Sequence, residues 1–97
     1  MTSGDAPFLV DLLTQAQIDL NSMLQRSKGL DTDIRIRQAM LLALSRLSHS
    51  ARSIGEPLYH LRAMKMTVMS LTVAPLYFIY GVHEDQNVVV IRRIQKI

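Results

Sequence analysis

Residues 55–97 read GEPLYHLRAMKMTVMSLTVAPLYFIYGVHEDQNVVVIRRIQKI. Runs of β-branched and aromatic residues recur here, broken by two turn signals, Ala74-Pro75 and Glu84-Asp85-Gln86-Asn87. The stretch therefore predicts an antiparallel meander. Residues 58–73 are too long for one regular strand, since strands run about 3–10 residues. The alternation also changes phase inside that span. Arg62, Met64, Met66 and Val68 share one parity; Met69, Leu71 and Val73 share the other. A break or bulge is expected near Met69 and Ser70. Residues 76–82 form the next strand, in which Gly81 marks a bulge or a close backbone approach. Residues 88–94 form the last. Val88, Val89, Val90 and Ile91 are all apolar, which predicts a central strand covered on both faces.

Working outward, residues 8–13 are short and apolar and read as a first strand, with Phe8, Val10 and Leu12 on one face. Thr14 and Gln17 have capping-box spacing for a helix whose apolar stripe is Ala16, Leu20, Met23 and Leu24. Gly29 supplies the residue wanted past its end. A second helix starts at Asp31 or Thr32. Ile36, Met40, Ala43, Leu44 and Leu47 make its stripe, widened by Leu41 and Leu42, and it fades at Ser48-His49-Ser50. Residues 51–57 read as loop. The order is β-α-α-β-β-β, an α+β fold in which an αα-hairpin packs on one face of a small antiparallel-rich twisted sheet. The first strand joins that sheet beside the meander. Residues 1–6 are a disordered lead, and residues 7–97 form one domain.

With 97 residues and no cysteine, neither a disulfide framework nor a thiolate metal site is available. No basic leader precedes an apolar run, and no run nears the ~20 residues that span a bilayer, so a cytoplasmic protein off the membrane is expected. The net charge of +3 is uneven. Residues 1–33 carry −3 and residues 34–97 carry +6. A basic half favours an anionic partner, either nucleic acid or an acidic protein segment.

The chemistry-bearing residues are sparse. His49, His60 and His83 show neither helical nor strand ligand spacing, so no metal site is expected. No nucleophile elbow, phosphate-binding loop or dinucleotide fingerprint occurs, and no cofactor is expected. What remains is a set of bases in the sheet half: Arg62, Lys65, Arg92, Arg93 and Lys96. Such bases neutralise phosphate and stabilise charge developing at phosphorus, so all five are candidates for nucleic-acid binding. Arg62, Lys65, Arg92 and Lys96 are candidates for catalysis. The same residues also serve as rim charges that keep sheets from pairing. Arg92 and Arg93 are adjacent and on a regular strand point to opposite faces.

Several short motifs resemble the RelE/ParE superfamily of toxin–antitoxin toxins, the plasmid-stabilisation proteins. The opening strand followed by Thr14-Gln15-Ala16-Gln17-Ile18-Asp19-Leu20 resembles that family's strand and "A-x-x-D-L" start. Residues 39–47 resemble its second helix. Ile54-Gly55-Glu56-Pro57 with Leu61 resembles its "G-x-P…L" entry to the sheet, and residues 76–82 its "Y-R-V-I-Y-x-V" strand. The resemblance implies a cognate antitoxin as partner, in a bacterial type II module. It also implies one of three actions: ribosome-dependent mRNA cleavage, binding to DNA gyrase, or an interaction role without toxicity. Where the family's nucleases carry arginines on two strands, this chain has Ser70, Thr72 and Tyr77. Near the usual residue beyond the last strand it has only Lys96. The basic set for cleavage is thus incomplete.

Overall fold

The computed structural model describes residues 7–97; the lead expected at residues 1–6 lies outside the described residues. Strand β1 (Leu9–Leu12) is followed by helices α1 (Thr14–Arg26) and α2 (Asp31–Ile54). Then come β2 (Glu56–Leu61), a 3-10 turn (Arg62–Met64), β3 (Met66–Val73), β4 (Leu76–His83) and β5 (Val88–Lys96). The five strands form one sheet in the order β1-β5-β4-β3-β2. β1 runs parallel to β5, and every other pair is antiparallel. The α+β architecture with two helices on an antiparallel-rich sheet is as expected. The span 58–73 is a hairpin of two strands, so four strands follow the helices.

The hairpin break falls at the 3-10 turn and Lys65, not at Met69-Ser70. Lys65 adopts φ 51° and ψ 46°, the left-handed conformation that lets the chain reverse. β3 itself is unbroken. Its phase change arises because both of its faces are largely buried: Met69, Leu71 and Val73 toward the helices, Met66, Val68 and Ser70 away from them. β4, not β5, is the central strand. Val88 and Val90 of β5 are only half-buried, because no helix covers their side of the sheet.

The core lies between the helices and one face, here called the inner face. It is formed by Leu76, Phe78, Tyr80 and Val82 of β4, with Leu71, Ile91 and Ile94 beside them. Ala16 and Met23 of α1 and Ile36, Ala43, Leu47 and Ala51 of α2 close it. Leu41 and Leu42 do not widen the α2 stripe; they are 69% and 45% exposed on its solvent side. The capping box at Thr14 is also absent. Leu13 is the N-cap, and the Gln17 side-chain amide donates to the Leu12 carbonyl at 3.1 Å. Gly29 has φ +80°, the left-handed residue expected after α1. α2 is interrupted at Ser50 (φ −141°, ψ 32°), close to where its pattern fades. A further turn of helix follows where loop is expected, because Ala51 is buried and Ile54 packs against the core.

That extra turn has a consequence. It carries Gly55 against β4, where the Tyr80 hydroxyl donates to the Ala51 carbonyl at 2.9 Å. Burial raises the Tyr80 hydroxyl to a pKa of about 12. Among the described residues no helix is long and apolar enough to cross a membrane.

Candidate functional site

The five candidate bases do not converge. Arg62 opens the 3-10 turn at one end of the sheet, and Lys65 follows it, 3.6 Å from the Asp85 carboxylate. Lys96 lies at the other end, opposite Leu76, whereas Lys65 lies by the strand end where Met66 pairs with His83. The length of β4 separates those ends by roughly 23 Å at about 3.3 Å per residue. Arg92 sits between them on β5, half-buried and without an ion pair among the described residues.

Arg93 is drawn elsewhere. Ile79 pairs with Arg93 while Tyr80 pairs with Ile91, so Arg92 is the extra residue of a β-bulge. The bulge resets the alternation: Ile91 and Ile94, three apart, both reach the inner core. Simple parity, which sends Arg92 and Arg93 to opposite faces, therefore fails here. Arg92 keeps the outer face by alternation from Ile91. Arg93, opposite Ile79, starts from the same face and reaches round the open edge of β5 to α1, where its Nε lies 2.8 Å from Asp19.

Asp19 lies outside the apolar stripe of α1. Its side chain is 11% exposed. β1 ends at Leu12, so β5 has no strand partner beyond Ile91 on that side. Asp19 takes that place by accepting the Ile94 amide at 3.0 Å and the Gln15 side-chain amide at 3.1 Å. The Arg93 hydrogen bond first, then these amides, hold its carboxyl below the ordinary carboxylate range. A lowered pKa in the fold means that the stabilisation is full above the unfolded value of about 3.9 and is lost as pH falls through the lowered one. Asp19→Asn is expected to cost about 1 kcal/mol at neutral pH. In urea titrations the gap to the wild-type chain should shrink progressively as pH falls below the unfolded value of about 3.9. A gap that stays constant on acidification would show that the charge is not what matters.

The β4–β5 turn is pinned from several directions. Arg52 of α2 donates to the carbonyls of His83 at 2.9 Å and Gln86 at 3.0 Å, and to the Asn87 side chain at 3.2 Å. Its guanidinium also stacks 4.8 Å from the Phe8 ring centre. His60 pairs with Glu84, and the Glu84 amide donates to the Lys65 carbonyl at 2.8 Å. His83 Nδ1 accepts the amides of Asp85 and Gln86, each at 3.1 Å. These contacts use the imidazole and the carboxylates to shape the turn. A cleft of about 310 Å³ beside it is lined by Arg52, Thr67, Val82, His83 and Glu84. Among the described residues no hydrogen bond joins Thr67 to a base there. Among the described residues no three metal-ligating side chains cluster.

The outer face of the sheet has a different character. By register it presents Tyr59 of β2, Val68 and Ser70 of β3, Ile79 and Gly81 of β4, and Val90 of β5. No helix lies over it. Ser70, Thr72 and Tyr77, the positions where the family's nucleases carry arginines, all fall on this face. Between Glu56 on β2 and Arg92 on β5 the face is uncharged, with Val68, Ser70 and Gly81 buried in its floor and Tyr59, Thr72, Tyr77, Ile79 and Val90 accessible around them.

Two helices on one face of this five-stranded mixed sheet define a RelE/ParE-like fold. Three solved structures place it. A chain of the toxin–antitoxin complex RelBE2 from Mycobacterium tuberculosis is similar with a TM-score of 0.71 and 21% identity, over 99% of this chain and 98% of that one. A chain of the archaeal RelE–RelB complex from Pyrococcus horikoshii has a TM-score of 0.68 and 14% identity, covering 93% and 94%. A chain of the chromosomal ParDE system from P. aeruginosa has a TM-score of 0.64 and 14% identity, covering 95% and 98%. No family model and no curated protein matches the chain.

Proposed function

We propose that this chain is the toxin-fold component of a bacterial type II toxin–antitoxin module, acting in the cytoplasm as one domain over residues 7–97 and binding a cognate antitoxin. The observation that carries this is the set of structural neighbours. RelBE2, RelE–RelB and ParDE are toxin–antitoxin systems, and each match covers more than nine-tenths of this chain. The basic sheet half complements an acidic antitoxin segment. Cleavage of mRNA finds less support. Lys65 and Arg93 are occupied by Asp85 and Asp19, and Arg62, Arg92 and Lys96 lie apart. A transition state at phosphorus needs converging cations. Binding to a protein target such as gyrase needs no such cluster.

The test is co-expression with the product of the neighbouring reading frame. The expected result is a complex that co-purifies, and growth arrest by the chain alone that the neighbour relieves. mRNA ends mapped after induction should be unchanged from an uninduced culture. Induced cleavage that disappears in the Lys65→Ala, Arg92→Ala double variant would instead establish the nuclease reading. Absence of both a complex and a growth effect would leave the toxin reading without support.

A further inference from the structure

The outer sheet face carries a transverse row whose ends are oppositely charged. Glu56 on β2 pairs with Ser70 on β3, Ser70 with Ile79 on β4, and Ile79 with Arg93 on β5, beside which Arg92 is the extra residue of the bulge on the same face. Glu56 and Arg92 therefore bracket Ser70 and Ile79 in one line across four strands. Neither end has an ion-pair partner among the described residues, although Lys65, Arg93, Glu84 and Asp85 all do. Three strand spacings of about 4.8 Å put the two ends roughly 14 Å apart, too far to neutralise each other. One row along, Tyr59, 53% exposed on β2, sits at one side and half-buried Val90 at the other.

We infer that the outer sheet face is an interface between two copies of this chain. A two-fold axis parallel to the strands, passing between β3 and β4, exchanges the β2 side with the β5 side. It sets Glu56 of each copy against Arg92 of the other, and Tyr59 against Val90, giving two equivalent ion pairs around an uncharged centre. Isologous contacts of this kind require such self-complementarity. Aligned face-to-face packing of twisted sheets is a common way to bury an apolar face. Lateral pairing through the β2 edge is disfavoured, because Pro57 lacks a donor and the register slips at Leu58. Nucleic acid is a poorer occupant, since the face offers one free arginine and an uncharged floor. The face measures roughly 19 by 23 Å, about 900 Å² over both copies and below the standard size of specific interfaces, so a weak dimer with a micromolar dissociation constant is expected.

The experiment is sedimentation equilibrium of the full chain from about 1 to 300 µM, which brackets that constant. Concentration-dependent dimer is expected. Glu56→Arg and Arg92→Glu should each weaken it at least tenfold, and the double charge swap should restore it, with circular dichroism confirming the fold of every variant. The chain has no cysteine, so Ile79→Cys, beside the axis, adds a second readout: a short bifunctional maleimide, which spans the roughly 10 Å between packed sheets, should give a covalent dimer, and with Leu41→Cys on the helix side it should not. A monomer at every concentration overturns the inference. A dimer that is indifferent to both charge reversals, or that the double swap fails to restore, overturns it as well.

Discussion

Gly55→Ala is expected to lower stability by about 3 kcal/mol, and the thermal midpoint by roughly 15 °C. The backbone conformation is not the reason. Gly55 has φ −101° and ψ 177°, open to any residue. The obstacle is space. A Cβ at this position would lie 2.2 Å from the Tyr80 hydroxyl and 2.6 Å from the Ser70 carbonyl oxygen. The first neighbour is held by its bond to Ala51, and the second belongs to the sheet backbone. Neither can yield without disturbing the join between α2 and the sheet. Tyr80→Phe alone should cost about 1 kcal/mol by leaving the Ala51 carbonyl unpaired. Combined with Gly55→Ala it removes the closest clash, so the double variant should be about 1 kcal/mol more stable than additivity gives. Urea denaturation of the four chains measures this directly. A Gly55→Ala variant within about 0.5 kcal/mol of the wild type would mean that the loop has room to move.

Phe78→Ala should cost about 3–5 kcal/mol, whereas Ile79→Ala should cost about 1 kcal/mol. The two residues are neighbours on the central strand and face opposite sides of it. Phe78 is fully buried among core side chains, paired with Leu71 on one side and Ile94 on the other. Its removal leaves a cavity that rigid strands on both flanks cannot close. Ile79 is half-buried on the face that no helix covers, so truncation there removes less contact and opens the site to water. For a domain of this size, total stability is on the order of 5–15 kcal/mol, so the first change takes a large share of it. The comparison by equilibrium denaturation also tests the layer arrangement. Equal losses at both positions would mean that the outer face is packed as tightly as the inner one in the free chain. The measurement should be made at low micromolar concentration, where the proposed dimer is mostly dissociated.

The two motifs that suggested the fold meet in space. Gly55 belongs to the loop entering the sheet, and Tyr80 to the central strand. Their contact explains why a glycine and a tyrosine stand at those places. Other parts of the reading rested on local chemistry and hold for the same reason. Gly29 turns the chain after α1, and residues 84–87 turn it between β4 and β5. The boundaries that moved depend on distant partners. The buried faces of β3 gave a misleading phase change, and Leu41 and Leu42 lie on the solvent side of α2, 69% and 45% exposed.

The charges divide in the same way. Composition by itself determined that residues 34–97 carry +6, and the strand pattern determined that most of the candidate bases lie on or beside the sheet. Only the tertiary structure decided which of them are occupied. Asp19 and Arg93 are 74 residues apart, and no periodicity in the chain marks them as a pair. They meet because β1 stops short, β5 continues, and α1 lies alongside the exposed amide of Ile94. Glu56 and Arg92 share a row because the strands pair in the order that they do. Hydrophobic alternation is a property of neighbouring residues and can be read along the chain. Strand order, the β5 bulge and ion pairing are properties of closure, fixed when distant segments bury a common core.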